Sequence, residues 1–232
     1  MIGARAGLLE QLDADGYAVI DDTLPAPTVR ALGVVAEELY RASPKRVGLD
    51  PLHLTRCVDR HERLLELVSW PATLDVVRAA LSDNICVYHS HLDMHPPHSH
   101  RDYFWHQDID TITRDCGRLQ APLCVKVGFF LSDVPTAEHG AMRVQPGTHR
   151  GRPFDPRDDG IPVTVRAGSA VVFDHRLWHS RGLNTSTVTR AAVFIAYAYR
   201  WIRRRDEIAG LPDPSGRLPE TLRTLLTLLP QE

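Results

Sequence analysis

Apolar positions change their rhythm once along this chain. Through the first eighty or so residues they recur at helical spacing; after Asn84 they form short runs of strand length. Leu8, Leu9 and Leu12 predict a short helix that Gly16 breaks. Tyr17 to Ile20 reads as a strand. Pro25 and Pro27 open a helix carrying Val29, Leu32, Val35 and Leu39 on one face. A further helical stretch runs from Glu62 to Leu81, punctuated by Pro71. Strands are then expected at Ile85 to Met94, Leu123 to Leu131, Val163 to Val165, Ala170 to Phe173 and Ala191 to Trp201. Pro96-Pro97, Pro146-Gly147, Pro153, Gly168 and Asn184 supply the turns between them. The pattern predicts a β sandwich or barrel with helices packed outside it, an α+β, mainly β fold. One domain is expected over residues 1–232, with a helical part to about 83, a β core over about 84–201 and a tail from 202. The tail is expected to end in a short helix containing Leu222, Leu225 and Leu229.

Composition narrows the function without naming it. The formal net charge of -2 excludes a general polyanion binder, so no nucleic-acid partner is expected. No apolar run approaches the ~18 residues of a membrane span. Arg5, Glu10 and Asp13 interrupt the first twenty residues, which argues against a secretory leader. Cys57, Cys86, Cys116 and Cys124 form no C-x-x-C pair. They read as small buried hydrophobes in a protein of the reducing cytoplasm.

Histidine placement carries the chemistry. Of 12 histidines, six lie between His89 and His106. In Trp105-His106-Gln107-Asp108 an extended backbone would turn His106 and Asp108 to one side. An imidazole and a carboxylate suit a divalent metal of intermediate softness. A second cluster runs from Trp178-His179-Ser180-Arg181 to Asn184 and Arg190. A hairpin centred between Asn184 and Thr185 would set His179 opposite Arg190, both facing one cavity. A guanidinium beside a metal ligand calls for an anion between them, and a carboxylate fits it bidentately. Two histidines with one carboxylate make the facial triad of non-haem iron(II) oxygenases. A 2-oxo acid could take two of the open positions and dioxygen the third, with the remote carboxylate of 2-oxoglutarate reaching Arg190.

The motifs W-H-Q-D at 105–108, G-A-M-R-V-Q-P-G-T-H at 140–149 and H-S-R-G-L-N-T-S-T-V-T-R at 179–190 resemble the phytanoyl-CoA dioxygenase family. That resemblance spans Gly16 to Tyr199. It implies a double-stranded β-helix (jelly-roll, cupin-like) core with flanking helices. It also implies iron(II), 2-oxoglutarate and O2 as cofactor and co-substrates. By the same resemblance His106, Asp108 and His179 bind the metal and Arg190 binds the distal carboxylate. The P-G-T-H turn is a structural landmark in which Gly147 permits the bend.

The strand Tyr88 to His95 sets His89, His91, Asp93 and His95 on one face and Leu92 and Met94 on the other. It reads either as a solvent-facing strand or as a cavity wall. In similar enzymes this strand holds co-substrate and substrate. His91 would then lie nearest 2-oxoglutarate, with Asp93 and His95 nearer the substrate. Tyr103 joins the co-substrate residues on the same grounds, and Gln107 the substrate residues. The sequence departs from the family pattern at His95, where many members have lysine before the double proline. It departs again at Arg181, where a small hydroxyl residue is common. His175 is a competing distal ligand; the spacing to Asn184 and Arg190 favours His179. Phe129, Phe130, Trp178 and Trp201 are expected in the core.

The expected activity is a dioxygenase that hydroxylates a small polar metabolite or natural-product intermediate, releasing succinate and carbon dioxide. Two alternatives remain open in the residues: a jelly-roll metal enzyme that does not use 2-oxoglutarate, and a catalytically silent metal- or ligand-binding module. Residues 109–120 are expected to form a lid over the site.

Overall fold

A computed structural model describes residues 2–43, 51–99, 104–108, 121–206 and 218–226. Helix α1 (Ile2–Asp15) precedes strand β1 (Tyr17–Ile20) and helix α2 (Ala26–Ala42). Strand β2 (Leu52–Thr55) and a 3-10 turn lead into α3 (Glu62–Glu66) and α4 (Pro71–Ala80). The expected helical stretch from Glu62 to Leu81 is therefore two helices, parted just before Pro71, where the ring starts a new helix at its first turn. Strands β3 (Ile85–His95), β4 (Cys124–Phe130), β5 (Met142–Val144), β6 (Ile161–Val163), β7 (Ala170–Asp174), β8 (His179–Arg181) and β9 (Arg190–Tyr199) follow. Helix α5 (Glu220–Leu226) buries Leu222 and Leu225, whereas Leu229 lies outside the described residues.

The strands form two antiparallel sheets. The larger has the order β1-β7-β4-β9-β3-β2, and the smaller has the order β6-β5-β8. Strand β9 shows why its sequence is an almost unbroken apolar run. Ala191, Val193, Ile195 and Tyr197 pack outward into the core shared with the helices. Ala192 and Phe194 face inward, against Met142, Val144 and Val163 of the smaller sheet. A strand covered on both faces has no polar side to display. The Tyr197 hydroxyl ties this layer to the helices by donating to the Val68 carbonyl at 2.9 Å.

Strand β3 changes face part-way. Val87 opposes Tyr197 on β9, but His89 opposes Ala196, so Tyr88 is an extra residue in the ladder. Such a bulge reverses the alternation beyond it. Ile85 and Val87 therefore join the outer core, while His89, His91, Asp93 and His95 turn inward between the sheets. The polar face of this strand is a wall of the interior.

Three strands escaped the sequence pattern: β2, β5 and β8 have three or four residues each, too few to show alternation. Strand β6 lies two residues before its expected position, and Val165 instead makes a single bridge with Val134. Trp201 departs from expectation outright. It is 67 % exposed and stacks on Tyr199 with its ring 5.9 Å away. Trp178 is half-buried and stacks on Phe154 at 4.1 Å, while Phe129 and Phe130 are core as expected. Cys57, Cys86 and Cys124 are buried and free, and Cys116 lies outside the described residues. No helix among the described residues is long and apolar enough to cross a membrane.

Candidate active site

A cavity of about 690 Å³ opens between the sheets, lined by His106, Asp108 and His179 together with Arg190, Asp93 and His91. The W-H-Q-D segment runs antiparallel beside β8. His106 and His179 exchange both backbone hydrogen bonds at 3.0 Å, and the Asp108 amide donates to the His175 carbonyl at 2.9 Å. The two imidazoles thus project from directly opposed residues, with ring centroids 4.3 Å apart. Each gives its Nδ1 to a nearby carbonyl, His106 to Phe104 at 3.2 Å and His179 to Leu177 at 2.9 Å. The free nitrogen is then Nε2 in both rings, which is the arrangement a metal-binding histidine needs. His106 Nε2 stands 4.0 Å from Asp108 Oδ1, and His179 Nε2 stands 3.8 Å from Oδ2. One donor atom from each of the three lies within 4.8 Å of the others. Two imidazoles and a carboxylate on one point of a cavity can hold a divalent iron.

Protonation favours ligation. Burial pushes His179 down to about 3 and lowers His106 as well, so both rings are neutral at physiological pH. Burial alone would raise Asp108, but the Lys126 ammonium and the two imidazoles outweigh it and hold the carboxyl well below its usual range. Lys126 Nζ lies 2.6 Å from Asp108 Oδ2. The sequence reading missed this lysine. Its signal was a lone charge in the otherwise apolar run Leu123 to Leu131.

Arg190 enters from β9, buried to 3 % exposure. Its guanidinium lies over the rings of Phe130 at 5.2 Å and Phe194 at 5.5 Å. Gly128 makes this possible, because a Cβ there would fall 2.5 Å from Phe194 Cε1. Nε and Nη1 of Arg190 have no hydrogen-bond partner among the described residues, and Asp93 Oδ2 stays 3.9 Å from Nη1. Burial lowers this arginine to about 10, which leaves it charged at neutral pH.

The expected His179–Arg190 hairpin does not exist. Strand β8 pairs with β5, Val144 opposing His179, whereas β9 belongs to the other sheet, where His95 opposes Arg190. The two side chains share a cavity because the sheets face one another. His95 and Asp93, not His91, stand nearest Arg190 on the ladder; His91 opposes Phe194 and stacks on it at 4.9 Å. Gln107 lines the cavity while its amide donates to the Arg176 carbonyl. Tyr103 and the expected lid at 109–120 lie outside the described residues. His175 is no rival ligand: it is fully buried and neither lines the cavity nor joins the group formed by His106, Asp108 and His179.

The family model for phytanoyl-CoA dioxygenase matches residues 12–192. The chain belongs to that family. It is a non-haem iron(II)- and 2-oxoglutarate-dependent dioxygenase with a jelly-roll core, as the motifs implied. Among curated relatives it is similar to L-proline trans-4-hydroxylase of Streptomyces griseoviridis, 28 % identical over 79 % of this chain and 82 % of that one. Among solved structures it resembles HygX of Streptomyces hygroscopicus with nickel and 2-oxoglutarate bound, with a TM-score of 0.72 and 17 % identity over 85 % and 88 % of the two chains. It also resembles the epimerase SnoN from nogalamycin biosynthesis, with a TM-score of 0.69 and 20 % identity over 96 % and 94 %. Family membership decides between the readings the residues left open, in favour of a 2-oxoglutarate-using enzyme.

Proposed function

We propose that His106, Asp108 and His179 hold the iron, that Arg190 anchors the distal carboxylate of 2-oxoglutarate, and that the enzyme hydroxylates a small polar metabolite or natural-product intermediate. The observation that carries this reading is Arg190. A guanidinium buried with two N–H groups unpartnered is costly unless an anion completes it. The dicarboxylate co-substrate supplies that anion in the cavity that also holds the triad. Bound iron would supply the oxygen-activating redox chemistry, driven by decarboxylation of the 2-oxo acid. The rings of Phe130 and Phe194 keep water from the guanidinium and fix its plane.

Asp93 and Gln107, which line the cavity, are proposed to shape its polar end; His95, opposite Arg190 on the ladder but not among the lining residues, is proposed to support it from behind, and Tyr103 to join the co-substrate contacts. Among the described lining residues the cations are Lys126, Arg181, Arg190 and Arg205, against the carboxylates of Asp93 and Asp108. Two-oxoglutarate cancels the charge the iron adds, so the excess positive charge favours a substrate bearing an anionic group. L-proline, named for the curated relative, is a carboxylate of this kind. The described cysteines are free, which fits our reading of a reducing cytoplasm as the enzyme's place.

The test is release of succinate that requires iron(II), 2-oxoglutarate and oxygen. Asp108→Ala is expected to abolish it, and Arg190→Leu to raise the KM for 2-oxoglutarate about 100-fold while metal binding persists. Full turnover in Asp108→Ala, or an unchanged KM in Arg190→Leu, would overturn the residue assignments.

A further inference from the structure

A second group of histidines stands on another wall of the same cavity. His53 comes from β2, and His89 and His91 come from one face of β3. Their ring centroids are separated by 4.5 Å (His53 to His91), 5.1 Å (His89 to His91) and 6.5 Å (His53 to His89). One nitrogen from each ring lies within 4.8 Å of the others. We propose that His53, His89 and His91 form a second divalent-cation site, distinct from the iron triad.

Outer carboxylates already hold two of the rings. His53 Nδ1 meets Asp93 Oδ1 at 2.7 Å, and His89 Nδ1 meets Asp206 Oδ1 at 2.7 Å. Asp206 is itself fixed, because its Oδ2 accepts the Ser90 amide at 2.7 Å. A carboxylate on Nδ1 keeps that proton in place and leaves Nε2 with a lone pair; it also raises the ring's basicity toward a metal. The third ring lacks a hydrogen-bond partner on one side: His91 Nδ1 is buried and unpartnered, in a side chain only 9 % exposed. Three imidazoles crowded together repel through their lone pairs unless something positive lies between them.

Charge and geometry both suit a metal dication. The carboxylates of Asp93 and Asp206 would offset part of its charge. The cavity's cations, Arg205 and Lys126 among them, leave the remainder to an anion from solution or substrate. Metal–nitrogen bonds of about 2.0–2.1 Å would require the three rings to turn inward and draw together nitrogens that lie within 4.8 Å of one another. Three neutral imidazoles select zinc, nickel, cobalt or copper over magnesium or calcium. With three protein ligands the fourth position stays open to the cavity, as in catalytic rather than closed structural sites. An anionic oxygen of the substrate could occupy it. In this reading His91 serves the second ion rather than the co-substrate.

Cobalt(II) tests the proposal on the full chain after removal of bound metal with a chelator. The wild-type protein is expected to bind two equivalents, one giving the strong visible absorption of four-coordinate cobalt and one the weak absorption of a six-coordinate site. His53→Ala should lose the strong band and one equivalent. His53 is half exposed on an edge strand, so the variant should fold, which circular dichroism checks. Asp206→Asn should weaken the strongly absorbing equivalent by about 10–100-fold. Asp108→Ala should keep that band and lose the weak one. A single equivalent in the wild type, or a wild-type spectrum in His53→Ala, would overturn the second site. Retention of both equivalents in Asp108→Ala would instead strike at the iron assignment, so the two readings fail separately.

Discussion

Lys126 is a charge placed where the strand has no other polar side chain. Every residue of β4 is buried, and the ammonium pairs with Asp108. Removing one member of a buried pair costs about 3–5 kcal/mol, because the other charge is left in a poor solvent. Lys126→Met is therefore expected to lower the melting temperature of the metal-free protein by about 10 °C. The same change should tighten cobalt(II) binding at the His106–Asp108–His179 triad at least about tenfold, since the ammonium no longer competes for the carboxylate. Thermal melts with a chelator and cobalt titration read the two effects. Weaker cobalt binding would mean that the lysine supports the metal ligand instead of opposing the metal. The candidate ligands were legible because H-x-D and the eleven-residue step from His179 to Arg190 are local spacings in the chain. Lys126 was not, because its partner is distant in sequence and only the sheet brings the two together.

At the scale of elements, the segment from Gly182 to Thr189 shows how a sound conclusion followed from a mistaken route. Its polar residues read as a hairpin turn, yet it carries the chain from one sheet to the other. Asn184 holds that crossing. Fully buried, its Nδ2 donates to the carbonyls of His95 at 2.8 Å and Val188 at 2.8 Å, and its Oδ1 accepts from Ser186 Oγ at 2.7 Å. It thereby fixes the end of β3 against the start of β9, where Arg190 begins. Asn184→Ala removes the side-chain donor to the buried His95 carbonyl, while Ser186 Oγ still reaches the Val188 carbonyl at 3.3 Å, and should cost about 2 kcal/mol, read from the urea midpoint. It should also raise the KM for 2-oxoglutarate, since Arg190 loses its support; a KM at the wild-type value would show that β9 is placed without this side chain. Long strands and helices were readable from periodicity. Strands of three or four residues were not, and neither was the bulge at Tyr88, which sequence alternation alone hides.

Across the whole molecule, buried ionisable groups set the range of pH in which the fold is stable. Burial holds His95 well below its ordinary value and lowers His149 too. Both are neutral in the folded state, whereas in the unfolded chain they take up protons below about pH 6.5. Their contribution is complete above that pH and is lost as the pH falls toward the folded values. Asp174 acts lower on the scale. Burial would raise it, but His175 and Arg176 outweigh burial and hold it well below the usual carboxylate range, with Arg176 Nη2 at 2.6 Å. Its stabilisation is complete above about pH 4, the unfolded value, and disappears as the pH drops further. Alkaline groups shift the other way: burial raises Cys57 to about 12 and also raises Tyr88 and Tyr197, so their contribution fades only as the pH climbs beyond about 9. The metal-free protein should therefore melt at a nearly constant temperature between about pH 7 and 9, lose stability from about pH 6.5 downward, and lose it more steeply below about pH 4. Circular-dichroism melts across that range, in a chelator, measure the curve. A melting temperature that stays level from pH 7 to pH 5 would mean that these histidines are charged in the folded state, contrary to their burial.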